Sequence, residues 1–132
     1  MPPDPASDMA EAWLQFARDD LSMAETLAAA SERPRGICYH SQQAVEKALK
    51  ALLVQRGEDP PRTHDLLRLN CEVKPPLFSD DDEDTLSDLT SWAVDQRYPA
   101  DQPEPSAEDA TRAVEFTRRA LAAVGKRFRG GE

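Results

Sequence analysis

No run of roughly 18 apolar residues, the length a membrane-spanning helix needs, occurs in the 132 residues, so no membrane partner is expected. Cysteine is scarce. Cys38 and Cys71 stand far apart with no metal-ligand spacing, and the expectation is two reduced thiols. Two histidines, His40 and His64, are too few for a multi-histidine metal centre, and no metal or other cofactor is expected. A Gly-rich phosphate loop, G-x-S-x-G, H-E-x-x-H and paired Cys motifs are all absent, which removes the commonest nucleotide-loop, hydrolase and metalloprotease signatures. The start, Met1-Pro2-Pro3-Asp4-Pro5, has neither the basic residues nor the apolar run of a secretory signal, and a cytoplasmic location is expected. No segment alternates with period two, so no sheet is expected.

What is present is a globular composition, 39% apolar and 31% charged, on a chain of single-domain length. The net charge of −9 disfavours a broad nucleic-acid-binding face, because phosphates need Lys and Arg to neutralise them. The charge is uneven, however. Residues 80–109 hold eleven acids and one base, a net −10, whereas residues 110–132 hold six bases and two acids, a net +4. Residues 32–68 come to a net +2, with seven bases and five acids.

Helical spacing organises the chain. Residues 1–7 read as a flexible arm, 8–129 as one helical bundle and 130–132 as a flexible tail. Asp8, with Glu11 in the capping-box position, opens a helix to about Ser31 whose stripe is Trp13, Phe16, Ala17, Leu21, Ala24, Leu27 and Ala28. Pro34 starts a second helix through Gln55, with Gly57 placed for a left-handed cap. Its stripe carries Ile37, Ser41, Ala44, Val45, Ala48, Leu49 and Leu52, with Tyr39, Gln43, Glu46, Lys47 and Lys50 opposite, of which Lys47 and Lys50 read as a solvated face. Thr63 is placed to cap a short third helix to about Cys71. An acidic start after Ser79 leads a fourth, over 80–97, with Leu86, Leu89, Trp92 and Ala93. Ser106 and Asp109 open a fifth, over 106–128, with Ala110, Ala113, Val114, Thr117, Leu121, Val124 and Phe128 inward. Long amphipathic helices with short connections predict an all-α, up-and-down antiparallel four-helix bundle with one additional short helix.

Several polar residues stand out. Asp20 lies on the apolar stripe of the first helix, where a carboxylate is costly unless paired; it reads as a buried ion pair or as the floor of a polar pocket. His40 and Lys47, seven residues apart, share a flank of the second helix. His64 and Asp65 open the third helix, and Arg97 ends the fourth, where a guanidinium suits either the helix dipole or a phosphate. His40, Lys47, His64 and Arg97 are the candidate ligand-binding set, a net-cationic patch with few nearby acids suited to phosphate. Asp20 and Asp65 are candidate structural polar residues. The competing reading makes all of them separate boundary and capping groups.

Four segments, in order, resemble the HEPN family of small stand-alone prokaryotic helical domains: Ala17-Arg18-Asp19-Asp20-Leu21; Cys38-Tyr39-His40-Ser41-Gln42-Gln43-Ala44-Val45-Glu46-Lys47 with its continuation Ala48-Leu49-Lys50-Ala51-Leu52-Leu53; Thr63-His64-Asp65-Leu66; and Arg97-Tyr98-Pro99. The resemblance implies a helical bundle, often a homodimer. It also implies binding of a nucleotide or RNA, and pairing with a minimal nucleotidyltransferase in toxin–antitoxin-like or accessory roles. Some members are metal-independent ribonuclease toxins with an R-x4-6-H motif, whose arginine matches Arg97. No histidine follows Arg97, and Arg35 and His40 have that spacing in the wrong helix, so no catalytic role carries over. The resemblance therefore implies a non-catalytic module binding a phosphate ligand or a nucleotidyltransferase. The alternatives are a ribonuclease toxin and a plain protein-interaction module.

Overall fold

The computed structural model describes residues 4–30, 33–93 and 104–130, and every regular element among them is helical. Helix α1 spans Pro5–Ala29, α2 Pro34–Gln55, α3 Leu66–Glu72, α4 Glu83–Ser91 and α5 Ala107–Gly130. A 3-10 turn over Asp80–Asp82 leads into α4. This is the expected all-α bundle with one short additional helix.

The start of α1 differs from expectation. The helix begins at Pro5, not Asp8, and is capped by the Asp4 carboxylate, which accepts from the Ala6 N–H at 3.1 Å. Proline at the first helical position fits, since its missing N–H has no intrahelical partner there. At α3 the cap is Asp65, not Thr63: its carboxylate accepts from the Leu67 and Arg68 N–H groups. The α5 capping box forms as expected, the Ser106 N–H donating to Asp109 at 2.9 Å and the Asp109 N–H to Ser106 Oγ at 3.0 Å. Gly57 takes the left-handed φ of 79° anticipated after α2. The fourth helix is shorter than the expected 80–97: it starts at Glu83 after the 3-10 turn and ends at Ser91 with Trp92 as its C-cap, and the residues expected beyond Ala93, Arg97 among them, lie outside the described residues.

The core sits around α2. It packs against α1, α3, α4 and α5, and fourteen residues between Ile37 and Val54 are buried. Leu49, Leu52 and Leu53 are buried there, and Leu66, Leu69, Leu86 and Leu89 close over them from α3 and α4. Each such leucine contributes about 1.5–3 kcal/mol by leaving water. α1 approaches α2 closely at Gly36, where an added Cβ would stand 3.2 Å from Leu27 Cδ1.

Two expectations about helix faces are corrected. Phe16, expected on the inward stripe, is 54% exposed, and the buried positions of α1 are Ala10, Leu14, Ala17, Asp20 and Ala24. The inward arc is thus rotated from the one the larger side chains suggest. On α2, Glu46 and Lys50 have the pattern of a solvated face, yet both are buried. The physical reason is that α2 is enclosed on more than one side, so its polar flank faces α1 and α3 instead of water.

Candidate functional site

That polar flank contains two arrangements of the same kind. In the first, Asp20 on α1 reaches toward α2, its carboxylate only 9% exposed. His40 Nδ1 lies 2.9 Å from Asp20 Oδ1, and Lys47 Nζ donates to Asp20 Oδ2 at 2.6 Å. In the second, Glu46 on α2 has a side chain 6% exposed and accepts from three directions. His64 Nδ1 is 2.8 Å away, Lys50 Nζ 3.0 Å and Gln42 Nε2 3.1 Å. Each is a carboxylate shared by one imidazole and one ammonium.

Helical geometry places these groups. His40 and Lys47 stand two turns apart on one flank and converge on a single acid. Gln42, Glu46 and Lys50 recur every four residues, so they are neighbours along one face. His64 enters from the segment before α3, where the stiff Pro60-Pro61 precedes it, and its backbone carbonyl accepts from Gln42 Nε2 at 2.9 Å. Gln43 donates to Gln42 Oε1 at 2.7 Å. The Lys50 ammonium lies 5.6 Å from the Trp13 ring centroid, a cation–π contact from α1. The seam therefore ties α1, α2 and the start of α3 together.

The chemistry follows from the donors. An ionised carboxylate offers only acceptors, so each imidazole carries its proton on Nδ1 and keeps Nε2 as its open nitrogen. Among the described residues neither Nε2 has a partner. The two rings differ in access: the His40 side chain is 26% exposed and the His64 side chain 59%. Both lysines are committed to buried acids. With neutral imidazoles the two arrangements carry no net charge, and each imidazole that takes up a proton adds +1.

Of the sequence-derived candidates, the structure brings His40 and Lys47 together on Asp20, and sets His64 on Glu46. Each of these donors holds a carboxylate at hydrogen-bonding distance, where the sequence suggests few acids nearby. Asp20 is the buried ion-paired acid that its place on the α1 stripe allows. Asp65 caps α3. Arg97 lies outside the described residues. Sequence reasoning misses Glu46, Lys50, Gln42 and Trp13 as seam members. The signal available is the Gln42, Glu46, Lys50 spacing, which marks a single face.

Elsewhere, Arg35, at the R-x4-H spacing from His40, pairs with Glu104. Cys38 is buried, and burial together with the Asp109 charge pushes its thiol up to about 12, so it stays protonated. Asp109 is held below its ordinary range, first by the hydrogen bond from the Ser106 backbone and also by Arg112. No group of acids, histidines and cysteines among the described residues is arranged to hold a metal ion. No helix among them is long and apolar enough to cross a membrane.

Comparison with solved structures finds the crystal structure of TT1696 from Thermus thermophilus similar to this chain, with a TM-score of 0.74 and 27% identity. The match covers 89% of this chain and 96% of that one. Curated proteins give no match. The model of the HEPN domain matches residues 10–127, a span that contains α1 to α4 from Ala10 onward and nearly all of α5. The chain belongs to the HEPN domain family.

Proposed function

We propose that this chain is a non-catalytic HEPN module that takes a phosphate-bearing ligand, a nucleotide or an RNA backbone, at the seam between α1, α2 and α3. The observation that carries this reading is His64. Glu46 is already satisfied by Lys50 and Gln42, so the buried charge does not require an imidazole, yet a ring 59% exposed is fixed by its Nδ1 with Nε2 open. An oriented, exposed imidazole supplies an Nε2–H donor to an anion once protonated, and His40, held separately on Asp20, has the same open nitrogen. The net −9 opposes an anion at long range, so binding is weak and falls with added salt. Catalysis is disfavoured because no histidine follows Arg97 in the sequence.

The test is titration calorimetry of ATP, AMP and short single-stranded RNA against the wild type and His64→Ala. Binding that weakens in the variant supports the reading. Binding that is unchanged removes His64, and no binding by the wild type removes the phosphate site. RNA cleavage by the wild type, lost in His40→Ala, would replace this reading with the ribonuclease.

A second reading, a protein-interaction module, is favoured by a separate feature. Met9, Phe16 and Met23 are 59%, 54% and 49% exposed. They are seven residues apart and form one apolar line along α1, next to Trp13 and Asp20. Ridges of this kind mark contact surfaces. We assign the ridge to a second copy of the chain, with a nucleotidyltransferase as the heterologous partner, and both readings are compatible in one molecule.

A further inference from the structure

Helix α4 packs on α2 and α3, whereas α5 packs on α2 and α1. A groove of about 420 Å³ lies between α4 and α5. Its apolar lining is the buried Leu89 and the partly buried Trp92 from the α4 end, and Ala113 and the buried Phe116 from α5, the latter backed by Phe78 at 5.1 Å between ring centroids. Trp92, Leu89, Asp88 and Thr85 share one face of α4 by their spacing of three and four residues, so the groove wall is a continuous helical face.

Its rim is acidic. Asp88 and Glu115 line it without an ion pair among the described residues. Asp109 is taken by Arg112 at 2.6 Å, and the Arg119 guanidinium stacks 5.4 Å from the Phe116 ring centroid. Residues 80–91, which build the 3-10 turn and α4, hold six acids and no base. With the acids of residues 80–91 behind a lining of net −1, the α4 side of the groove is negative and favours a cation over a phosphate.

We propose that the α4–α5 groove is a docking site for a basic amphipathic segment of a partner protein. Its apolar residues pack on Trp92 at the groove mouth, over the buried Leu89 and Phe116, and its Lys or Arg side chains reach Asp88 and Glu115. Charge complementarity selects this occupant: the half-buried Trp92 takes the apolar anchor, and Asp88 and Glu115, without an ion pair among the described residues, take the cations. This site is separate from the α1–α2–α3 seam and does not depend on the reading given for it.

The experiment uses the whole chain and an amidated, fluorescein-labelled peptide with leucines on one helical face and arginines on the other. Binding is read by anisotropy. In the Trp13→Phe background, Trp92 fluorescence should also change on saturation. Asp88→Asn with Glu115→Gln, both at exposed positions, should weaken binding by roughly tenfold or more, as should Trp92→Ala. Asp8→Asn with Glu11→Gln, which removes the same charge from α1, should leave affinity unchanged. The matching glutamate–leucine peptide should not bind. The proposal is overturned by equal affinity for the two peptides, by equal loss from the α1 control, or by no Trp92 response at saturation.

Discussion

Replacing Glu46 by alanine tests the buried half of the seam. The carboxylate is 6% exposed and holds Lys50 Nζ at 3.0 Å, His64 Nδ1 at 2.8 Å and Gln42 Nε2 at 3.1 Å. His64 can turn to water, because most of its ring is already there. Lys50 cannot do so without moving, since its side chain is 9% exposed. Glu46→Ala therefore leaves an ammonium buried with only the Trp13 ring near it, and such stranded charges cost about 3–5 kcal/mol. For a domain of this size that corresponds to a fall in Tm of about 10–20 °C. Glu46→Gln keeps the volume and an acceptor but removes the charge, and should cost about 1.5–3 kcal/mol. Removing both charges, Glu46→Gln with Lys50→Met, should recover most of that loss, because the buried charge that made it costly has gone. Urea unfolding followed by far-ultraviolet circular dichroism measures all three, with the slope checked for constancy. If Glu46→Ala lowers stability by less than about 1 kcal/mol at constant slope, Lys50 is solvated, the pair is a surface one, and the reasoning fails.

Ser106→Ala removes one arm of the α5 capping box and should cost about 1 kcal/mol by the same assay. Asp109 is held below its ordinary 3.8, so its contribution is complete above that value and is lost as the pH falls through its folded pKa; the Ser106→Ala cost should shrink in acid unfolding experiments. Cys38, buried and pushed up to about 12, should resist a thiol reagent at neutral pH in the native state, while exposed Cys71 reacts; one fast thiol by mass spectrometry is expected, and two would refute the burial. Phe16→Glu places a charge in the apolar line on α1 and should convert the proposed dimer to a monomer in light scattering without lowering Tm; an unchanged mass excludes that ridge as the interface.

Much of the fold is legible in the sequence because caps and periodicity are local signals. Pro34, Gly57 and the Ser106/Asp109 pair set helix ends wherever the rest of the chain goes. Asp20 is legible as an inward acid because position within a stripe is also a local property. Less legible is anything decided by how many neighbours a helix has. Glu46 and Lys50 have the composition of a wet face, and only the presence of α1 and α3 around α2 makes that face dry. Phe16 misleads the other way: an aromatic near a stripe reads as inward, while small alanines at 10, 17 and 24 let α1 lie close to its neighbours. The pairing of His64 with Glu46 spans eighteen residues and depends on the path of the loop before α3, which no periodicity encodes. The Asn70 side chain, which both donates to the Phe78 carbonyl and accepts from its N–H at 2.9 Å, is another link that periodicity does not encode.

The central position of α2 bears on how the molecule breathes. Its amides are shielded by four other helices, so hydrogen exchange there requires those neighbours to leave. Shedding any one of α1, α3, α4 or α5 uncovers part of α2. No large fragment can detach without exposing apolar α2, so large openings approach complete unfolding in free energy. The slowest-exchanging amides should therefore form one block within α2, while the ends of α1 and α5 exchange through fraying and report nothing about the core.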